Sequence, residues 1–218
     1  MTTKIRTEED LEDNLNSEFG WRIKEIDTLK KFVFRSKLEK GGNSKSVLIR
    51  SGIALLYAHW EGFIKITSKS YLEFIVSQNL KYTQLTINFI ALGLRAKINN
   101  AIFNKSIQSQ IELSDYVINN LGSNCQKSII NTINTKANLS SKVLNDIIIC
   151  LGFDFSPYAT KSVIIDEILL NNRNHIAHGD YLLVDDESFF NLCDDILYLM
   201  HLFKDQISNA AALKEYIN

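Results

Sequence analysis

Arg173, Asn174 and His178 stand within two helical turns of one another, in the run Asn171-Asn172-Arg173-Asn174-His175-Ile176-Ala177-His178-Gly179. Arginine presents a planar fork of donors that matches phosphate oxygens, and asparagine supplies a neutral donor and acceptor. Histidine is the side chain best suited to moving a proton near neutral pH. Together these parts fit cleavage of RNA without a metal ion. The 2′-hydroxyl would attack the neighbouring phosphate, the imidazole would assist proton transfer, and the guanidinium would steady the added negative charge.

The elements around the run decide how these groups are presented. Ser162-Val163-Ile164-Ile165-Asp166-Glu167-Ile168-Leu169-Leu170 has helical apolar spacing and predicts one helix from about Lys161 to His178, with Gly179 as its cap. On an α-helix Asn174 and His178 share a face, continued one and two turns back by Asn171 and Glu167. Arg173 projects about 100° away from Asn174. It therefore reaches the same ligand by curling round, or meets a ligand shared with a second copy of the helix. His175, three positions before His178, can share its face, but no further Cys or His stands near in sequence to complete a zinc set. No metal and no cofactor are expected.

Upstream, Thr7-Glu8-Glu9-Asp10 reads as a capping box opening one or two amphipathic helices that run to about Lys37. Glu39-Lys40-Gly41-Gly42-Asn43 marks a turn. The stretch from Ser46 to about Gln78 is apolar round most of its circumference and is expected to be central, with Arg50, Tyr57, Glu61 and Ser68 on one stripe that is either solvated or flanks the site near Arg173. Residues 80–138 read as shorter helices and as a candidate insertion that selects substrate or partner. A helix from Leu139 stops at Gly152, the short Tyr181-Leu182-Leu183-Val184 is ambiguous, and Asp185-Asp186-Glu187 opens a last, largely buried helix.

Composition bounds the partners. At 218 residues with one proline and nine glycines, the chain reads as a single mostly helical domain, with 1–40 as its N-terminal helical segment. A formal net charge of −1 means any affinity for RNA must be local. Cys125, Cys150 and Cys193 read as small buried hydrophobes in a reducing compartment. A nucleophilic pair of Cys150 or Cys193 with His178 stays open, although nothing local selects it. His59 and His201 read as satisfied core or interface histidines. The first residues do not resemble a signal peptide and no apolar run is long enough to span a bilayer, so a cytoplasmic protein with no membrane partner is expected.

Arg173-Asn174-His175-Ile176-Ala177-His178-Gly179 resembles the Arg-Asn-x-x-Ala-His-Gly form of the Arg-to-His motif of the HEPN superfamily. Leu55-Leu56-Tyr57-Ala58-His59-Trp60-Glu61-Gly62-Phe63-Ile64-Lys65 is similar to the helix with a Trp-Glu-x-Phe core in stand-alone MAE-type and RiboL-PSP-like members, and Asn138-Leu139 through Asp154 resembles the helix and loop before their motif. The resemblance covers about Ser46 to His178. It implies an all-α HEPN-like bundle with extra helices, paired as a two-fold homodimer. Arg173 and His178 would be catalytic and Asn174 their polar support, in a site composed from both protomers, with Glu61 carried over only as a support. Arg50, His175 and Glu167 are further supporting candidates by position. Such proteins are typically metal-independent ribonucleases acting on tRNA or mRNA as toxins or defence effectors, held by an antitoxin or a defence-system partner. The rival readings are a non-catalytic HEPN module that binds nucleotide or protein, and a structural helical protein whose motif is an interface network.

Overall fold

A computed structural model describes residues 4–36, 42–136 and 138–218. Of the expected turn at 39–43, residues 39–41 lie outside them, while Gly42 and Asn43 already belong to the next helix. The chain opens with one uninterrupted helix, α1 (Glu8–Ser36), rather than two. Its capping box is formed as expected: the Asp10 amide donates to Thr7 Oγ1 at 3.0 Å and the Thr7 amide to the Asp10 carboxylate at 3.0 Å. α2 (Gly42–Ser77) follows, and it is the axis of the molecule. Trp60, Tyr57, Phe63, Tyr71 and Phe74 are all sealed from solvent along it. Each fully buried large apolar side chain contributes about 1.5–3 kcal/mol.

Residues 80–138 form a 3₁₀ turn (Tyr82–Gln84), α3 (Ile87–Asn104), α4 (Ile107–Asn120) and a second 3₁₀ stretch (Lys127–Thr132). Then come α5 (Ser141–Leu151), the single turn α6 (Ser156–Ala159), a π-helical stretch (Ile164–Leu170) that continues directly into α7 (Asn171–Ala177), and α8 (Asp186–Ala212). α1, α2 and α8 pack on one another as the main layer, with α5, α7 and the 3₁₀ stretch of 127–132 closing over α2. α8 buries Phe189, Leu192, Ile196, Leu199, Phe203 and Ile207, spaced three or four apart as an amphipathic helix requires, together with Met200. Among the described residues there is no strand, only two isolated bridges. The fold is all-α, as the periodicity and the resemblance implied.

Two expectations change. The helix of 161–178 is not α-helical throughout: in its π stretch the Asn171 amide donates to the Asp166 carbonyl five residues back. Glu167, expected on the α-helical stripe below Asn171, lies within this π stretch. His201 is exposed on α8, stacked on Phe19 with ring centroids 5.6 Å apart and 3.4 Å from Asp205, so of its two expected settings, core or interface, the core one does not hold. His59 is buried as expected, with Nε2 3.1 Å from Glu25. Burial holds its pKa below the usual value, against the pull of Glu25.

The π stretch is tied down from outside. Asp166 accepts from the Ser141 amide at 2.7 Å and from its hydroxyl at 2.5 Å, clamping the start of α5 to the helix that carries the motif. Asp166→Ala should therefore cost about 1–3 kcal/mol of unfolding free energy in urea titration. Adding Ser141→Ala to it should cost little more, because the one bond that the serine hydroxyl makes to Asp166 is already gone.

Candidate active site

The loop into α5 threads between α2 and the motif helix. Leu139 is fully buried, and its amide donates to the Tyr57 hydroxyl at 2.7 Å. Tyr57 lies on α2 at 2% exposure. Burial pushes its phenol up to about 12; the Leu139 amide and Arg173 oppose the rise, while Glu61, one turn on and beside the same hydroxyl, adds to it.

Arg173 lies over the other side of this arrangement. Its guanidinium carbon is 4.5 Å from the centroid of the Tyr57 ring. Nη1 donates to Asn138 Oδ1 at 3.0 Å and to Asn174 Oδ1 at 2.9 Å. A cation on an aromatic face is worth about 0.5–2 kcal/mol, and two amide oxygens fix the plane of the fork. Nε and Nη2 have no hydrogen-bond partner among the described residues, so donors remain for an anion. Asn174 spends its oxygen on Arg173, and its amide hydrogens make no hydrogen bond among the described residues.

The helix ends one turn later. Gly179 at φ +86° takes the left-handed position that an L side chain would resist, the Asp180 amide donates to the His175 carbonyl at 2.9 Å, and the Gly179 amide donates to Ile176 at 3.1 Å. This Schellman closure leaves His178 at the exposed C-cap, its imidazole making no hydrogen bond among the described residues. It also swings Asp180 back so that its carboxylate lies 2.8 Å from His175 Nδ1.

The structure thus gathers Arg173, Asn174 and Glu61 round Tyr57. Arg50 approaches from the same α2 stripe, its guanidinium carbon 5.2 Å from the ring of exposed Tyr181 and its Nε buried without a partner. Ser68 turns away and donates to the Ile64 carbonyl in its own helix. His178 and His175 sit on the outer side of α7. Exposed Glu167 makes no hydrogen bond or ion pair among the described residues. Cys193 is sealed within α8 with its thiol pushed up to about 12 by burial. Cys150 lies in a cleft with Arg95 and Lys136. Neither reaches the unpartnered His178. Among the described residues no group of three His, Cys, Asp or Glu could hold a metal ion.

The sequence profile of the RiboL-PSP-HEPN family matches residues 17–209. The chain belongs to this family. No curated protein and no solved structure matches it. Both halves of the site of this HEPN protein, the Tyr57–Glu61 turn of α2 and the end of α7, fall within the matched stretch. Three of its site residues escaped sequence reading. Asn138 is distant in sequence and carries no local pattern, Tyr181 sat in an ambiguous stretch, and Asp180 follows the Gly179 cap with no pattern of its own to mark it. Tyr57 did leave a signal, since it shares a stripe with Arg50 and Glu61.

Tyr57→Phe keeps the ring beneath Arg173 but strips the buried Leu139 amide of its acceptor, an expected loss of about 1–3 kcal/mol at neutral pH. The phenol's pKa is raised on folding, from 10.0 to about 12, so its contribution is whole below pH 10 and fades as pH climbs towards 12. Denaturant unfolding of both proteins at pH 7 and pH 11 should show the gap between them narrowing at the higher pH.

Proposed function

We propose that this HEPN protein is a metal-independent endoribonuclease that cleaves tRNA or mRNA by attack of the 2′-hydroxyl on the adjacent phosphate. One observation carries the reading. Arg173 is locked by Tyr57, Asn138 and Asn174 with donors to spare, on the same helix end as an exposed, unpartnered His178. A cation fixed before substrate arrives costs no reorganisation when charge develops on the phosphate. An exposed imidazole is accessible to a ribose hydroxyl or a leaving oxygen.

The working form is a homodimer with a shared cleft. Arg173 and His178 are five positions apart, so they leave α7 about 140° from each other. Arg173 lies against α2, and His178 is on the outside. A second copy brings its own Arg173 towards this His178. The face for that copy runs along α2 as Val47, Leu55, Ala58 and Ile66, exposed apolar residues next to the Arg50–Tyr57–Glu61 stripe. In this reading the protein is a cytoplasmic toxin or defence effector without a membrane partner, held in check by an antitoxin or another component of its system. The rival is a non-catalytic HEPN module that binds nucleotide or protein.

Incubation of the purified protein with total tRNA in excess chelator tests the reading. Wild type should release fragments ending in 2′,3′-cyclic phosphate, and His178→Ala and Arg173→Ala should each fall by roughly 10²–10⁴-fold. Cleavage unchanged by either substitution would sink the nuclease reading. Ala58→Glu should yield a monomer in sedimentation and lose cleavage with the dimer.

A further inference from the structure

The reaction proposed above moves two protons: one leaves the attacking 2′-hydroxyl and one arrives on the departing 5′-oxygen. His178 supplies one transfer. Arg173 is permanently protonated and Asn174 is neutral, so neither supplies the other. Glu61 is engaged beside the Tyr57 hydroxyl. His59 is buried and faces the exposed Glu25, and His201 stands on α8 beside Asp205.

His175 is the remaining imidazole, and its setting is more specific than that of a surface histidine. It precedes His178 by three positions on α7, which puts the two side chains on neighbouring turns with Cβ atoms roughly 5–6 Å apart. Asp180 Oδ2 is 2.8 Å from its Nδ1. An ionised carboxylate only accepts, so Nδ1 carries the hydrogen and, in the neutral ring, Nε2 carries the lone pair. The pairing is set by the backbone, because the Asp180 amide to His175 carbonyl bond and the left-handed Gly179 bring the carboxylate round. The side chains are 48% and 59% exposed, so substrate can reach Nε2, whereas an ion pair so exposed adds little to stability.

We infer that His175, oriented by Asp180, is the base of this site and that His178 is its acid, an assignment that rests on the ribonuclease reading. His175 Nε2 takes the proton of the 2′-hydroxyl as the O2′–P bond forms. The P–O5′ bond breaks, and the His178 imidazolium gives its proton to O5′. The products are a 2′,3′-cyclic phosphate and a 5′-hydroxyl end. Asp180 is a positioning residue: it holds the tautomer and balances the charge that His175 acquires.

The test compares single-turnover cleavage of an ordinary RNA oligonucleotide with one whose scissile 5′-oxygen is sulfur, a leaving group that departs without a proton. His175→Ala should lose roughly 10²–10⁴-fold on both substrates and recover in part with added imidazole, whereas His178→Ala should recover on the sulfur substrate. Asp180→Asn should lower kcat by about tenfold or more with KM little changed, while circular dichroism and the melting temperature stay at wild-type values. Recovery of His175→Ala on the sulfur substrate would reverse the assignment and overturn it. Wild-type rates for His175→Ala and Asp180→Asn on ordinary RNA would overturn it while leaving the ribonuclease reading intact. A wild-type protein that cleaves no RNA would overturn both.

Discussion

A tyrosine hydroxyl buried in the middle of the central helix must find a partner, because an unpaired hydroxyl in an apolar core costs about 1–3 kcal/mol. Tyr57 finds the Leu139 amide, and that bond sets the path of the chain into α5. With the loop so placed, Asn138 stands where its oxygen meets the Arg173 guanidinium, and the ring that carries the hydroxyl forms the floor under the same cation. One buried polar group therefore connects three distant stretches of sequence. The polar side of the contact is the candidate site and its apolar side is the core, so loss of this packing would release Arg173 as well.

The second constraint is the π stretch. Inserting a wider turn into a helix costs hydrogen-bond geometry, and such turns are frequent at functional positions. Here its register changes the direction in which the following α7 residues leave the helix, relative to an α-helix continued from Ser162. The clamp of Asp166 on Ser141 holds the turn in place. The clamp and the Tyr57–Leu139 bond hold the same segment, one from the π stretch and one from α2. The motif helix is in this way positioned by the segment before α5 as much as by its own packing.

Much of this was legible in the chain. Helical periodicity, with one proline, specified an all-α bundle. Thr7 and Asp10 announced the first cap, and Gly152 and Gly179 both adopt the left-handed conformation expected of a helix stop. The motif residues announced themselves by type. The unreadable parts are those in which a local pattern fits two geometries or a partner lies far along the chain. Val163-Ile164-Ile165-Asp166-Glu167-Ile168-Leu169-Leu170 is equally apolar in an α or a π register, and only its tertiary clamp distinguishes them. His201 sits in an apolar run, yet its neighbours Met200 and Phe203 take the core side of α8 and leave it outside. The partners of Arg173 are invisible locally because Asn138 is 35 residues away in sequence.

A rigid cation and accessible imidazoles on opposite flanks of one short helix form a division of labour. Stabilising charge on a phosphate requires a donor that does not move, and Arg173 is fixed by a ring and two amide oxygens. Transferring protons requires a group that substrate can approach, and His175 in the last turn of α7 and His178 at its C-cap are both exposed. A single short helix cannot face both ways towards one phosphate. In the proposed reading the arrangement becomes productive when a second helix end lies across the first, with the exposed apolar stripe of α2 beside Tyr57 as the face for that approach. Assembly would then act on chemistry directly, since a lone protomer holds the parts while the pair holds the geometry.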